Sequence, residues 1–152
     1  MKQHIVRFLR AGCLCVAVSL SSAYAQSGQM ITVDLPFAFQ VNNHEFPAGK
    51  YEVKADAGQA AVLLRSADCK RAIFSLSAPV ESANTHALPS LVFNRYNDSY
   101  FLSQIWMPGT NSGRGLSTSA TERELARRLS KSAPKPGTEI VAVLGHLEGR
   151  TR

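Results

Sequence analysis

The chain has 152 residues, 18% of them charged, and a formal net charge of +6. Its length fits a single domain with a real hydrophobic core. Three of the 17 basic residues precede residue 26 and all 11 acidic residues follow it, so residues 26–152 carry only +3. A charge this small favours weak attraction to anionic surfaces and excludes the strongly basic footprint of a nucleic-acid-binding domain.

Residues 1–25 have the organisation of a secretory signal peptide. A basic stretch is followed by an apolar run over residues 11–20 and by the small-x-small sequence Ala-Tyr-Ala at residues 23–25, which is typical of a cleavage site. The run is too short for the roughly 20 residues of a membrane-spanning helix. We therefore expect a cleaved leader, no transmembrane segment after cleavage, and a secreted or periplasmic location. An uncleaved membrane anchor is the alternative.

The three cysteines divide between the leader and the mature chain. A lipid-modified cysteine normally has a Leu-like residue three positions before it, whereas Cys13 follows Arg10 and Cys15 follows Gly12 at that spacing, which argues against a lipoprotein. Cys69 is alone in the mature chain and so has no intramolecular disulfide partner. We expect a buried, inert thiol beside a turn, with an intermolecular bridge or a reactive thiol as alternatives.

Residues 30–80 alternate between apolar runs and turn signals. The run over residues 30–41 is interrupted by Pro36, which cannot donate to a ladder, so it predicts an edge strand or two strand pieces with a kink. Phe46-Pro47-Ala48-Gly49 fits a β-turn. Further strands are predicted over residues 51–55, 60–65 and 71–80, and a polar loop over residues 81–87.

The clearest hairpin joins residues 91–96 to residues 100–106 through Asn97-Asp98-Ser99, and both arms are rich in β-branched and aromatic residues. Strict alternation divides the second arm into two faces, Phe101, Ser103 and Ile105 against Tyr100, Leu102, Gln104 and Trp106. Both faces carry apolar bulk, so we expect this strand to be central and covered on both sides.

The end of the chain adds a helix to the strands. Residues 108–115 hold three glycines and predict a flexible loop. The pairs Ser119–Glu122 and Thr121–Glu124 match capping-box spacing and predict a helix over residues 121–131, followed by a linker and a last buried strand at residues 140–144. Residues 26–152 are thus expected to form one mainly β domain, a small antiparallel β-barrel or sandwich of six or seven strands with one late α-helix.

Two segments in this order resemble a family of small secreted bacterial proteins that is known only as uncharacterised. The first combines Pro36-Phe37-Ala38-Phe39 with the Pro-Ala-Gly-x-Tyr turn at residues 47–51. The second is the hairpin, with Phe-x-Arg-Tyr at residues 93–96 and Tyr-Phe-Leu-Ser-x-Ile-Trp at residues 100–106, followed by the helix start. The resemblance covers nearly all of the mature chain. It implies export and a compact β fold, but no activity, ligand or catalytic residue.

No pattern in the sequence indicates a catalytic residue, a cofactor or a metal site, because the His residues are scattered and no nucleophile elbow is present. Two binding hypotheses remain, one for an apolar ligand cavity and one for a charged surface. Four aromatic residues of the hairpin are candidates to bind a small apolar ligand, with a packed core as the alternative: Phe93, Tyr96, Tyr100 and Trp106. Four cations of the helix are candidates to contact an anionic surface, with a solvated helix face as the alternative: Arg123, Arg127, Arg128 and Lys131.

The leading functional hypothesis is an exported, non-enzymatic envelope protein with a structural or interaction role. Its partner would be an envelope polyanion or another envelope protein, and not a nucleic acid. The alternatives are a periplasmic carrier of a small apolar ligand in a β-barrel and a small hydrolase or thiol enzyme that uses Cys69.

Overall fold

The computed structural model describes residues 30–55, 60–132 and 138–147; the predicted leader and the linker at residues 134–137 lie outside these ranges. The described part is mainly β, as predicted, and has eleven strands and one helix. The strands are β1 (Met30–Leu35), β2 (Phe39–Val41), β3 (His44–Phe46), β4 (Gly49–Ala55), β5 (Ala61–Ser66), β6 (Ala72–His86), β7 (Ser90–Tyr96), β8 (Ser99–Trp106), β9 (Thr110–Leu116), β10 (Glu139–Leu144) and β11 (His146–Leu147), and the helix is α1 (Ala120–Ser132).

The strands form one sheet with the order β10-β7-β8-β9-β6-β5-β4-β1-β11. The pairings along this path are antiparallel, whereas β2 pairs with β3 and, in parallel, with β8. The hydrogen-bonded path is not closed, although only Gly145 separates β10 from β11 at its two ends. The structure has more strands than the six or seven expected, because β2, β3 and β11 are very short and β9 occupies a glycine-rich segment that was predicted to be a loop.

The long strand β6 joins two halves of the sheet. Its first residues, up to Leu76, pair with β5, and from Ser77 onwards it pairs with β9. Buried side chains from both halves form one hydrophobic cluster, which fits the sandwich alternative. Each large apolar side chain buried there stabilises the fold by about 1.5–3 kcal/mol.

Both strands of the β7–β8 hairpin are internal to this sheet, since β7 also pairs with β10 and β8 also pairs with β9, and the hairpin contains a β-bulge. Val92 pairs with Gln104 whereas Phe93 pairs with Leu102, so Ser103 is the extra residue. The bulge brings both Leu102 and Ile105 into the core, and the strict alternation predicted for this arm is therefore wrong. The expected cover on both sides is present, because aromatic residues of β8 are buried outside the core cluster as well.

Two segments predicted as loops are strands. Residues 81–86 continue β6, and residues 110–116 form β9. Gly113 indicated a loop, but it is needed because a Cβ there would lie 2.6 Å from Cε3 of the Trp106 ring. The polar residues of β6 are tolerated because this part of the strand is largely exposed.

Helix α1 extends one residue beyond its predicted range at each end. Ser119 caps it, because the backbone N–H of Glu122 donates to the Ser119 hydroxyl at 3.0 Å. The second predicted cap differs: the Thr121 hydroxyl donates to Oδ1 of Asn43 at 3.2 Å, in the turn between β2 and β3. None of the helical structure in the described residues is long and apolar enough to cross a membrane.

Candidate functional site

The four aromatic candidates are distributed over both sides of the β7–β8 hairpin. Phe93 is fully buried in the core, where it meets Phe39 edge to face at 5.5 Å between ring centroids. Tyr100 stacks on Phe37 at 3.9 Å, at the margin of the core. Tyr96 and Trp106 are buried outside the core cluster. The structure therefore does not gather the four side chains around one ligand.

Trp106 and Tyr96 each have partners of their own. Trp106 stacks on His86 at 4.3 Å, and its indole N–H donates to Oε1 of Gln104 at 3.1 Å. The Tyr96 hydroxyl donates to Oε1 of Glu122 at 3.4 Å, and burial raises the pKa of Tyr96. Both rings are therefore buried by contacts within the protein, and their burial does not require a ligand.

Glu122 was predicted only as part of a capping box, but it is buried and joins α1 to the sheet. Its Oε1 accepts a hydrogen bond from Nδ2 of Asn94 at 2.8 Å and the bond from Tyr96. A buried carboxylate needs such donors, because loss of water is costly for a charged group. The arrangement holds the start of the helix against β7.

The four helix cations are exposed. Three of them recur at intervals of four residues and so share one face of the helix: Arg123, Arg127 and Lys131. The fourth, Arg128, donates to Oε1 of Glu124 at 2.9 Å, one turn earlier. Within the described residues Arg128 is the only one of the four in an ion pair.

Cys69 is exposed, so the expectation of a buried thiol is wrong. It lies in the connection between β5 and β6 with φ = +58°, in the left-handed region, where the backbone turns and the side chain faces solvent. The Asp68 carboxylate before it accepts hydrogen bonds from the Ser66 hydroxyl and the Lys70 backbone N–H. These bonds, that from Ser66 first, hold the pKa of Asp68 below its ordinary value. No group of three or more His, Cys, Asp or Glu side chains suited to a metal ion occurs among the described residues.

A groove between β3 and the start of β6, the β3–β6 groove, opens beside this turn. It has a volume of about 300 Å³ and is lined by residues 44–46 and 70–73. Arg71 crosses it and donates from Nη1 to the backbone carbonyl of Glu45 at 3.1 Å. A second open pocket of about 420 Å³ shares Lys70 and Arg71 with the groove and is also lined by Tyr51. None of the aromatic or helix candidates lines either pocket.

The outer face of the β5–β6 hairpin exposes large apolar side chains. Phe74 is 73% exposed and Leu76 is 75% exposed. Their cross-strand partners on β5 are Leu63 and Ala61, and these four residues are called the apolar strip below. Ser75, on the opposite face of the same strand, is only 2% exposed.

The apolar strip was not predicted, because the local sequence pattern indicates the opposite orientation of this strand. Residues 72, 74 and 76 are Ala, Phe and Leu, while residues 73, 75 and 77 are Ile, Ser and Ser. This alternation would normally predict that the apolar side of the strand faces the core. In the structure the serine side faces inwards, and only the pairing partners on β5 and β9 reveal it.

Comparison with known proteins finds no matching protein family, no matching curated protein and no matching solved structure.

Proposed function

We propose that the mature chain is an exported, non-enzymatic protein of the bacterial envelope that binds another envelope protein through the apolar strip. The observation that carries this proposal is the inverted burial of β6, where Ser75 is buried while Phe74 and Leu76 are about three-quarters exposed. Exposed apolar patches in folded proteins commonly mark interaction surfaces.

Folding alone would favour the opposite arrangement. Full burial of a Phe or Leu side chain contributes about 1.5–3 kcal/mol, and a buried hydroxyl is costly unless it is hydrogen-bonded. Ser75 meets that requirement by donating to Oδ1 of Asn42 at 3.3 Å. The exposed Phe and Leu add nothing comparable to the stability of the free chain. A partner that covers them accounts for their presence.

The leader over residues 1–25 and the resemblance to secreted bacterial proteins support export. The scattered His and acidic residues, and the contacts that already occupy Glu122 and Tyr96, support a binding role over catalysis.

The test is in-cell photo-crosslinking of the full-length chain, leader included, in a bacterial host. A photoreactive amino acid replaces Leu76 in one variant and Leu88, an exposed apolar residue outside the apolar strip, in a matched control. We expect cleavage after residue 25 and a discrete adduct in the exported fraction from position 76 only. An uncleaved cytoplasmic chain, or equal crosslinking from both positions, would refute the proposal.

A second candidate function is contact with an anionic envelope polymer or lipid through α1. It is favoured by the stripe of three exposed cations, Arg123, Arg127 and Lys131, none of which is ion-paired within the described part of the chain. Replacing all three by Gln should abolish sedimentation of the mature protein with vesicles containing anionic lipid. The control removes three cations elsewhere, Lys50, Lys54 and Lys70. Equal loss of binding in both variants would show that only net charge matters and would exclude a helix-specific contact.

A further inference from the structure

The first part of β6 is paired along one edge, and none of the other described strands pairs with it along the second edge. β5 pairs with Ala72–Leu76, whereas β9 begins its pairing at Ser77. The edge that faces away from β5 over residues 72–76 therefore has no strand partner in the described part of the chain. Open edges of this kind are templates for pairing with another chain.

Two backbone hydrogen bonds establish which residues face this open edge. Ser66 N–H donates to the carbonyl of Arg71, and Ser77 N–H donates to the carbonyl of Ala60, both at 2.8 Å. In an antiparallel pair the residues bonded to the partner strand alternate with residues whose N–H and C=O point the other way. The bonded positions are therefore 71, just before β6, and 73, 75 and 77 within it. The backbone groups of Ala72, Phe74 and Leu76 point away from β5, and of these the Leu76 carbonyl has a 3.3 Å contact from the Ser75 hydroxyl.

Strand β3, whose strand partner within the described residues is β2, lies beside the start of β6. Side chains rather than a backbone ladder connect β3 and its turn to β6. Arg71 reaches the carbonyl of Glu45 at one end, and Ser75 reaches the side chain of Asn42 at the other. The β3–β6 groove, about 300 Å³ in volume, opens at the Arg71 end. The open edge of β6 thus begins beside an open groove that an extended chain can enter.

The basic residues of the groove favour an extended chain that carries an acidic residue. His44, Lys70 and Arg71 line it against one carboxylate, that of Glu45. Lys70 forms an ion pair with Asp68, with 3.5 Å between Nζ and Oδ2, whereas Arg71 forms no ion pair within the described residues. An acidic residue of an incoming strand would therefore be favoured at this end, and apolar residues would be favoured beside Phe74 and Leu76.

We propose that an extended segment of a partner protein, apolar at alternate positions and acidic at one end, adds as a strand to the open edge of β6. This inference rests on the proposed function and deepens it, because it names the backbone edge as well as the apolar strip as the binding element. Ladder hydrogen bonds to residues 72, 74 and 76 would supply affinity. Phe74, Leu76 and Arg71 would supply specificity.

The test uses the mature protein and an end-blocked fluorescent peptide, Glu-Val-Thr-Val-Thr-Val-Glu, with fluorescence anisotropy as the readout. Phe74→Pro removes a backbone N–H that points to the open edge and leaves the bonds to β5 intact. Phe74→Ala is the matched control, because it loses the same ring and keeps the N–H. We expect Phe74→Pro to bind about tenfold more weakly than Phe74→Ala. Circular dichroism confirms that both variants keep the β fold.

The preference for an acidic segment is tested separately, by changing the charge of the peptide. A peptide with Lys at both ends should bind several-fold more weakly than the Glu peptide, and Lys70→Gln should reduce this difference. Equal binding of both peptides, or equal binding by Phe74→Pro and Phe74→Ala, would overturn strand addition by an acidic segment. A mature protein that dimerises on its own and loses dimerisation in Phe74→Pro would also overturn it, in favour of a second copy.

In-cell crosslinking from position 76 separates this inference from the proposed function. If Phe74→Pro keeps the adduct at the yield of Phe74→Ala, the partner uses the apolar side chains and not the backbone edge. That result would leave the proposed function standing and overturn the strand addition. If Phe74→Pro loses the adduct while Phe74→Ala keeps it, the result supports both the proposed function and strand addition.

Discussion

The β7–β8 and β5–β6 hairpins belong to the same sheet but differ in what covers them. On β7–β8, one face packs into the core through Phe93 and Ile105, and the other is covered in part by Glu122 and His86. On β5–β6, one face packs into the core through Val62 and Leu64, and the other exposes the apolar strip. The first hairpin has the burial that folding requires, whereas the second keeps apolar surface that folding does not use.

The largest expected effect is on the covered hairpin. Phe93→Ala should lower the free energy of unfolding by about 3–5 kcal/mol, because it removes a fully buried ring and leaves a cavity. Urea denaturation of the mature protein measures this. A loss below about 1 kcal/mol would contradict the assignment of Phe93 to a tightly packed core.

The cover of that hairpin by α1 should depend on Glu122. Glu122→Ala removes the acceptor for Asn94 and Tyr96, and should cost about 1–3 kcal/mol of unfolding free energy. Glu124→Ala is the control, because it breaks only an exposed pair with Arg128 that is worth about 0.3–0.5 kcal/mol. Equal losses would show that the helix is not held to the sheet through Glu122.

Substitutions on the exposed face of the β5–β6 hairpin should affect binding and leave stability nearly unchanged. The double change Phe74→Ser and Leu76→Ser should alter the unfolding free energy by less than about 1 kcal/mol, since both side chains are mostly exposed. The same variant should lose the adduct formed in cells from a photoreactive residue at Leu63. A large destabilisation would mean that these side chains support the fold itself.

The smallest effect concerns the turn at the end of this hairpin. The pKa of Asp68 lies below its ordinary value because of the Ser66 hydroxyl and the Lys70 N–H. Because the pKa of Asp68 is lower in the folded chain than in the unfolded chain, ionisation of Asp68 stabilises the fold. This stabilisation is present above the pKa of the unfolded chain and is lost as the pH falls through the pKa of the folded chain. An NMR titration should show Asp68 titrating at lower pH in the wild type than in Ser66→Ala. The same midpoint in both proteins would contradict this cause.

Local signals in the sequence predicted much of the fold. Pro36 correctly divides the first run into β1 and β2, and Ser119 correctly marks the start of α1. These features depend on backbone chemistry within a few residues, which a single sequence displays.

Features that depend on distant residues were not predictable in this way. The bulge at Ser103 changes which residues of β8 face the core, and it becomes apparent only from the register with β7. Gly113 resembles a turn residue until the ring of Trp106 is placed over it. The ligand-binding candidates could not be chosen correctly from the sequence for the same reason. Phe93 was a candidate but is buried in the core, whereas the exposed Phe74 was predicted only as part of a strand. The inward face of β6 is decided by its neighbours β5 and β9.

Amide hydrogen exchange of the mature protein, read residue by residue by NMR, tests the difference between the two hairpins most directly. Ile105 and Trp106 have paired strands on both sides, whereas the backbone groups of Phe74 point to an open edge. The account predicts strong protection of the two β8 amides and of Ile73 and Ser75, and fast exchange at Phe74. Protection of Phe74 equal to that of Ile105 in the free protein would mean that the edge is already occupied, and would contradict the account.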